Sequence, residues 1–335
     1  MPLPSGAIRA GVIIDIPAVS DALRRLWSQG KFRSRTVALG IASEGVLVRQ
    51  MDLDWMPPSD FAKALRYQVA DALPFPVDEA NLDYHLLEEL DVPAEQEGQT
   101  RHVARILLVA AARDVVDSFV QAVHGAGLKV VRADLLPFAL IRASCPDRSP
   151  GGPLEAIIDI GADTVAVVIH QGGQPRSVRM IPGLGSDRIT RALKERYEWS
   201  WEEAERTKVA LGLPTPDSRE TPASERVTAH PAQQVIVEQV AILAAEVRAT
   251  LDFFLGADAK DTGRSESARL SRVVLAGSGS RLGGLAQVLA AHLGVPVELL
   301  SVLGALDKRR SMKLTEEQAA ALVVPAGLWM GVSAP

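Results

Sequence analysis

Apolar residues recur every three or four positions in several long segments, the spacing that places them on one face of a helix. The longest such segment runs from Val235 to Leu255. Its apolar face consists of Val240, Leu243, Val247, Leu251 and Phe254. Shorter segments predict helices at residues 17–27, 59–73, 114–124 and 186–197. Ser59 begins one of them, and we expect its hydroxyl to cap that helix.

Short apolar runs between glycine-rich or polar turns predict β-strands. These runs are residues 36–41, 45–53, 81–88, 105–112, 128–133, 156–158, 165–170, 272–276 and 295–299. We expect the first two to form a hairpin around Ser43-Glu44-Gly45. Because helices and strands alternate along the chain, the pattern predicts an α/β fold.

The length of 335 residues is sufficient for two lobes, each with its own core. The turn sequence Ser149-Pro150-Gly151-Gly152-Pro153 predicts the boundary between them. We therefore expect a first lobe at residues 1–150 and a second lobe at residues 151–335. Three polar segments, at residues 91–100, 215–232 and 258–267, predict connecting loops.

Composition narrows the class of protein. Hydrophobic residues make up 47% and charged residues 23%, which excludes a disordered chain, and the net charge of −5 gives no indication of nucleic-acid binding. The single cysteine, Cys145, excludes a disulfide framework and favours a reducing cytoplasm. Six scattered histidines show no metal-ligand spacing. No apolar run predicts a membrane span or a signal peptide, so we expect membrane association only through a partner.

Candidate chemistry begins where the predicted strand 156–158 ends. The sequence Asp159-Ile160-Gly161-Ala162-Asp163-Thr164 predicts a turn that leads into the next strand. Glycine lacks a Cβ, so a backbone of this kind can approach phosphate groups closely. A carboxylate such as Asp159 is a ligand for Mg²⁺, commonly through water. Similar turns also occur in plain hairpins, so this motif alone leaves both interpretations open.

A second glycine turn, Gly277-Ser278-Gly279, follows the apolar strand 272–276 and precedes an apolar helix that ends near His292. Such a turn lets a ligand lie against the backbone and the N-terminus of the helix. It is not a Rossmann fingerprint, because Leu282 occupies the position of the third glycine. No P-loop sequence occurs in the chain.

Between the two turns, residues 201–208 predict a polar helix with Glu205 and Lys208 three positions apart. One interpretation is a solvated helix with charge pairs. The other is a helix that gives a carboxylate and an amine to a nucleotide. The position of the helix between the two glycine turns favours the second interpretation.

In this order, the three motifs resemble the phosphate-2, ribose-binding and adenosine motifs of the actin, sugar kinase and Hsp70 superfamily. Over nearly its full length the sequence resembles the PilM family, cytoplasmic actin-like proteins of type IV pilus assembly that are related to the cell-division protein FtsA. Further segments that carry this resemblance are residues 3–8, 31–41, 46–49, 64–68, 74–79, 134–140 and 324–328.

The resemblance implies a two-lobed actin-like ATPase fold, with the small subdomain called 1C inserted at about residues 35–128. It implies ATP and Mg²⁺ as cofactors, with Asp159 ordering the metal through water. The remaining expected nucleotide contacts are the phosphate-binding Gly161, Asp163 and Thr164, the nearby Gly185, the ribose-binding Glu205 and Lys208, and the adenine-binding Gly277, Ser278 and Gly279.

The resemblance also implies the role of an adapter rather than a metabolic enzyme. In this family the partner is the short cytoplasmic N-terminal peptide of PilN, an inner-membrane protein, which binds in a groove near the 1C insertion. Such a protein would lie at the cytoplasmic face of the inner membrane, together with other pilus assembly proteins, and would hydrolyse ATP slowly at most.

The sequence departs from the superfamily pattern at three places. The resemblance implies a first strand pair with a phosphate-1 loop, which we expect to lie before the present start, and a start assigned too late at Met1 is the favoured explanation. If Met1 is the true start, we expect the nucleotide site to lack one of its two phosphate clamps. Leu136 stands where an acid that positions the attacking water is expected, so the nearby Asp134 becomes the candidate catalytic residue. Ser186 replaces a glycine and narrows the approach of a ligand to the backbone.

Two alternatives belong to other functional classes. A sugar or small-acid kinase of the same superfamily requires a substrate base between the lobes, for which Asp134 is the candidate. An FtsA-like, membrane-associated filament protein requires assembly in the presence of ATP. Phosphate transfer to a sugar would support the first alternative, and filaments seen by electron microscopy would support the second.

Overall fold

The computed structural model describes residues 3–4, 6–93, 99–147, 149, 151–214, 230–262, 269–301 and 315–332. Most of the predicted loop 215–232, at residues 215–229, lies outside these ranges, as do residues 94–98 and 263–267 of the other two predicted loops. The chain divides into two compact units. The first consists of Met1–Leu135 with Arg176–Arg179, and the second of Leu136–Pro175 with Met180–Pro335.

The first unit contains three helices and seven strands among the residues described. The helices are α1 (Ile16–Gly30), α2 (Pro58–Gln68) and α3 (Arg113–Gly125). The strands are β1 (Ile8–Arg9), β2 (Val12–Ile13), β3 (Thr36–Ile41), β4 (Val46–Asp54), β5 (Ala80–Pro93), β6 (Thr100–Ala112) and β7 (Lys129–Leu135). Strand β10 (Gln174–Pro182) adds residues 176–179 to this unit.

Strand β6 is the centre of the antiparallel sheet in this unit. It pairs with β4 on one side, from Val103↔Asp54 to Ala111↔Val46, and with β5 on the other. Helix α2 covers the sheet because its Phe61 and Leu65, together with Val69 directly after the helix, are buried in one cluster with Ile106 and Leu108. Strands β5 and β6 are longer than predicted, and they include residues 91–93 and Thr100 of the segment expected to be a loop.

The predicted hairpin of residues 36–41 and 45–53 is wrong. Both segments are strands, but β3 pairs in parallel with β7, from Thr36↔Lys129 to Ile41↔Leu135, whereas β4 pairs with β6. The reason is tertiary packing: Leu39 of β3 is buried with Val123 and Leu128, which follow much later in the chain. Local turn signals cannot reveal a parallel partner, because such pairs need a long crossover connection.

The predicted cap of the second helix is also wrong. Helix α2 begins at Pro58, with Pro57 in the capping position and no side-chain hydrogen bond there. Proline is favoured at the first helical position, because its missing N–H would have no partner there. Ser59 therefore lies inside the first turn, and the helix ends at Gln68, before the predicted end at residue 73.

The second unit contains the strands β8 (Leu154–Ile160), β9 (Thr164–Gln171), β11 (Arg272–Ala276) and β12 (Val297–Leu299). Its helices are α4 (Leu136–Ser144), α5 (Asp187–Tyr197), α6 (Trp201–Leu211), α7 (Pro231–Thr262), α8 (Leu285–Leu293), α9 (Glu316–Ala321) and α10 (Val323–Val332). Helix α7 thus extends into the segment 258–267, where a loop was expected.

Strand β8 is the centre of the sheet in this unit, and five of its seven residues are apolar. It pairs antiparallel with β9 and parallel with β11, and β11 pairs parallel with β12. Ala156, Ile157 and Ile158 are fully buried, as expected for a strand covered on both faces. Apolar residues of α5, α7 and α8 complete the core on one side, including Leu193, Val247 and Leu289.

Two segments that carry the family resemblance pack against each other in this unit. Helix α4 contains most of residues 134–140, and α10 contains residues 324–328. A Cβ added at Gly327 would lie only 1.9 Å from the carbonyl oxygen of Ala139, so only glycine permits this contact. Arg142 Nε donates to the carbonyl oxygen of Gly327 at 2.8 Å and fixes the pair further.

Candidate functional site

Two glycine turns lie at one edge of the sheet in the second unit. In the parallel pair β8–β11, Asp159 lies opposite Ala276, so the two strands end at the same level. The turn after β8 therefore lies beside the turn Gly277-Ser278-Gly279 after β11. In open α/β sheets, ligands bind outside the carboxyl ends of the strands, which makes this edge a candidate site.

The turn after β11 lies directly against the end of β8. A Cβ added at Gly277 would lie 2.4 Å from the carbonyl oxygen of Ile160 and 2.7 Å from Asp159 Oδ1. Gly277 also has a φ of 82°, which disfavours any residue with a side chain. A Cβ at Gly279 would meet Ile160 Cγ2 at 2.5 Å and Ser186 Cβ at 3.0 Å. Both glycines are thus required for the close approach of the two turns.

The turn after β8 is also fixed to the start of α5 by three backbone hydrogen bonds. The amides of Gly185, Ser186 and Asp187 donate to the carbonyl oxygens of Asp163, Gly161 and Ala162 at 3.0, 2.9 and 2.8 Å, respectively. A Cβ at Gly185 would lie 2.3 Å from the carbonyl oxygen of Ala162. Glycine at position 185 is therefore required by the packing of the two segments, whether or not a ligand is bound.

Asp159 is a half-buried carboxylate at the junction of these turns. Burial raises the pKa of Asp159 to about 6, because a charged carboxylate is poorly solvated there. A bound cation would stabilise the charged form and lower this pKa. The position and the chemistry of the side chain therefore suit the holding of a hydrated metal ion.

Helix α6 brings Glu205 and Lys208 to the same site. The helix begins at Trp201 because the hydroxyl of Ser200 accepts a hydrogen bond from the amide of Glu203 at 3.2 Å. Lys208 Nζ lies 2.7 Å from Glu205 Oε2, and the side chains are 6% and 41% exposed, respectively. The amine is thus mostly buried, whereas the carboxylate that it pairs with is partly exposed.

A cavity of about 560 Å³ in the second unit connects these features. Its volume is in the range of small-molecule pockets. Six of the sequence-predicted residues line it, namely Gly185, Glu205, Lys208, Gly277, Ser278 and Gly279. The predicted Asp159, Gly161, Asp163 and Thr164 are not among its lining residues, although Asp159 lies behind Gly277.

Several residues of the cavity were missed by sequence reasoning. Apolar walls come from α7 and α8, including Val240, Leu243 and Leu285. Arg188 Nε donates to Gln239 Oε1 at 2.8 Å, which links α5 to α7 at the cavity wall, and Arg281 follows the second glycine turn. No local motif marks these residues, because their place in the site depends on the packing of helices distant in sequence.

Asp134, the predicted catalytic residue, belongs to the first unit. It lies near the end of β7, where its Oδ1 accepts a hydrogen bond from the amide of Leu135 at 2.8 Å. Arg132 Nη2 lies 3.8 Å from Asp134 Oδ2, and the side chain of Asp134 is largely buried. Asp134 does not line the cavity of the second unit, and its catalytic role stays a prediction.

The described ranges contain neither a metal-binding cluster nor a helix that could span a membrane. Within them, no cluster of three or more His, Cys, Asp or Glu side chains is arranged to hold a metal ion. Within the same ranges, no helix combines the length and the apolar character needed to cross a bilayer.

The whole chain matches one protein family. The family described as "Type IV pilus assembly protein PilM" matches residues 1–332. The cell division protein FtsA of Bacillus subtilis (strain 168) is 24% identical over 231 residues, which cover 63% of this chain and 51% of FtsA. The chain therefore spans about half the length of that curated relative.

Solved structures show the same fold. A chain in the "PilM-PilN type IV pilus biogenesis complex" superposes with a TM-score of 0.78 at 24% identity, covering 100% of this chain and 90% of that one. The ethanolamine utilization protein EutJ from Carboxydothermus hydrogenoformans and MreB5 of Spiroplasma citri bound to ADP both have TM-scores of 0.51, at 15% and 14% identity. These cover 97% and 96% of this chain, respectively, and 77% of each solved chain. The fold is thus the actin-like ATPase fold that the sequence predicted.

Proposed function

The chain belongs to the PilM family of type IV pilus assembly proteins, and from this premise we propose that it is a nucleotide-binding adapter that binds the N-terminal peptide of PilN. The proposal that the protein binds a nucleotide is carried by one observation: Glu205, Lys208 and the turn Gly277-Ser278-Gly279 line the same cavity. The partner part rests on family membership. The kinase and filament alternatives are not favoured by any of the comparisons.

The cavity suits a nucleoside on three grounds. Its apolar walls from α7 and α8 can cover a base, and the glycine turn offers backbone without side chains. The Glu205 carboxylate is an acceptor for the hydroxyl groups of a ribose. Lys208 Nζ pairs with that carboxylate at 2.7 Å and holds it in place. ATP supplies the phosphate chain that would extend from this nucleoside pocket toward the turn at Gly161, Asp163 and Thr164.

The turn after β8 is the proposed place for Mg²⁺. Magnesium keeps several of its waters and is commonly bound by one or two carboxylates together with phosphate oxygens. Asp159 would be the protein carboxylate of such a site. Its raised pKa reflects the free energy needed to keep the buried carboxylate charged when no metal is bound. The metal would neutralise part of the charge on the phosphate groups. We propose, separately, that the protein hydrolyses ATP slowly at most.

A test of the nucleotide site compares Lys208→Met with a matched control, Lys194→Met. Lys194 is an exposed lysine of α5 that does not line the cavity. We expect Mg-ATP to raise the melting temperature of the unsubstituted chain and of Lys194→Met, because a ligand at about 100 times its Kd adds about 2.7 kcal/mol. The rise should fall to about half or less in Lys208→Met, in line with an affinity lowered at least tenfold. Equal rises in all three proteins would contradict this placement of the site.

A second test addresses the partner. A fluorescent peptide with the N-terminal sequence of PilN from the same organism is titrated with the full chain, and anisotropy is recorded. We expect saturable binding, and none with a scrambled peptide of the same composition. The proposed place of binding is the region of residues 35–128, and the proposed location of the protein is the cytoplasmic face of the membrane that holds PilN. Equal binding of both peptides would overturn the adapter proposal.

A further inference from the structure

A buried hydroxyl stands between the two charged residues of the cavity. Thr190 lies in the second turn of α5 and is completely buried. Its Oγ1 donates to Glu205 Oε2 at 2.6 Å and accepts from Lys208 Nζ at 2.9 Å. With the Lys208–Glu205 ion pair at 2.7 Å, the three polar groups form a closed triangle that connects α5 to α6.

The chemistry of this triangle requires a hydroxyl at position 190. A carboxylate only accepts hydrogen bonds and an ammonium group only donates them, whereas a hydroxyl does both. Hydrogen bonds that involve charged groups are the stronger ones, and inside a protein they are strengthened further. The hydroxyl of Thr190 is held in one direction because it contacts the carboxylate and the ammonium group at the same time. Thr190 therefore fixes the orientation of both charged side chains.

The arrangement leaves one carboxylate oxygen for a ligand. Both contacts of Glu205 within the triangle use Oε2. The Glu205 side chain is 41% exposed and lines the cavity, whereas Thr190 does not line it. The hydroxyl of Thr190 thus acts on a ligand only through Glu205 and Lys208.

We propose that Thr190 is a positioning residue that makes the cavity selective for nucleotides with ribose hydroxyl groups. This inference rests on the proposed function, because it assumes that Glu205 faces the ribose. A carboxylate held in one orientation accepts from a hydroxyl at a fixed place. A carboxylate that can change its rotamer loses conformational entropy when it orders on binding. It therefore discriminates less between nucleotides with and without ribose hydroxyl groups.

The experiment measures discrimination, which a purely structural role would not change. Calorimetry gives the Kd of Mg-ATP and of Mg-2′,3′-dideoxy-ATP, which lacks both hydroxyls, for the full chain. We expect the unsubstituted chain to bind ATP at least tenfold more tightly than the dideoxy compound. Thr190→Val should reduce this ratio to about twofold or less while the Kd of the dideoxy compound stays within about threefold. Thr190→Ser, which keeps the hydroxyl, should preserve most of the ratio.

A matched control is available in the same unit. Thr250 of α7 is also buried, and its hydroxyl donates to the backbone oxygen of Glu246 at 2.9 Å, away from the cavity lining. Thr250→Val should leave the ratio unchanged. If Thr190→Val does not fold, the ratio is taken from Thr190→Ser and Thr190→Ala, and only the second should lose it.

The outcomes separate the two proposals. An unchanged ratio in Thr190→Val, or equal weakening of both nucleotides, overturns the positioning role while the nucleotide site stands. A ratio near one in the unsubstituted chain also overturns it, since nothing would then read the hydroxyls. No binding of either nucleotide to the unsubstituted chain overturns the proposed nucleotide site and this inference with it.

Discussion

At the scale of single residues, Asp159, the proposed metal ligand, is a buried carboxylate whose charge costs stability. Its pKa is raised by burial to about 6, above the usual value near 3.9 of an unfolded chain. The folded state therefore binds the proton more tightly than the unfolded state does. The stability that depends on this group grows as the pH falls from about 6 to about 4 and is lowest above pH 6.

We therefore expect Asp159→Asn to raise the free energy of unfolding of the ligand-free protein at pH 7.5 by about 1–3 kcal/mol. The gain should shrink at pH 5, where the native carboxyl is already protonated. Urea unfolding at the two pH values measures this, with Asp71→Asn, at an exposed position, as the control. Asp159→Asn should also bind Mg-ATP more weakly, because stability gained at a binding site is often accompanied by a loss of function. Destabilisation at pH 7.5 would contradict the account.

His170 is a second buried titratable residue, at the opposite end of β9 from the turn. It is fully buried; its Nδ1 accepts a hydrogen bond from the amide of Gly173 at 3.3 Å, and its Nε2 lies 3.7 Å from Glu155 Oε2. Burial lowers the pKa of His170, Glu155 opposes that effect, and Arg272 adds to it. Protonation would also place a second N–H against the amide of Gly173.

Because the folded pKa of His170 lies below its unfolded value near 6.5, the unfolded state binds the proton more tightly. The contribution of this histidine to stability is complete above pH 6.5 and is lost as the pH falls below that value. We expect the free energy of unfolding to fall between pH 7 and pH 5, and to fall less steeply in His170→Gln. Replacement of the exposed His292 by Asn should leave the slope unchanged. Equal slopes in all three proteins would exclude His170 as the cause.

At the scale of elements, Gly185 allows the close contact between the turn after β8 and the start of α5. Gly185→Ala places a methyl group 2.3 Å from the carbonyl oxygen of Ala162, so the backbone must shift. We expect a loss of about 1–3 kcal/mol in the free energy of unfolding, as for other overpacked sites. The control is Gly256→Ala in α7, where a Cβ meets no atom within 4 Å and alanine favours the helix. A neutral Gly185→Ala would show that the turn is not held as described.

Sequence patterns located most elements but few of their partners. The apolar periodicity of α7 and the short runs of β8, β9 and β11 were visible, since each is a local pattern. The partner of β3 was not, because a parallel pair across a long connection leaves no local signal. For the same reason Glu205 and Lys208 were recognised on their own helix, whereas Thr190, which fixes them from α5, was not.

At the scale of the whole molecule, the central claim is that an actin-like member of the PilM family uses the cavity of its second unit to bind a nucleotide. Family and fold follow from the match over residues 1–332 and from the superposition on solved relatives. The site was predictable only as far as its motifs are local. The turns at Gly161 and Gly277 meet because β8 and β11 are neighbours in the sheet. No local sequence pattern indicates this pairing.

The most direct measurement is a calorimetric titration of Mg-ATP into the unsubstituted full chain, repeated with Lys208→Met. The account predicts saturable binding with one nucleotide per chain, and an affinity lowered at least tenfold by the substitution, because Lys208 holds Glu205 within the cavity. Absence of any binding heat, together with an unchanged melting temperature in excess Mg-ATP, would contradict the claim that this cavity is a nucleotide site.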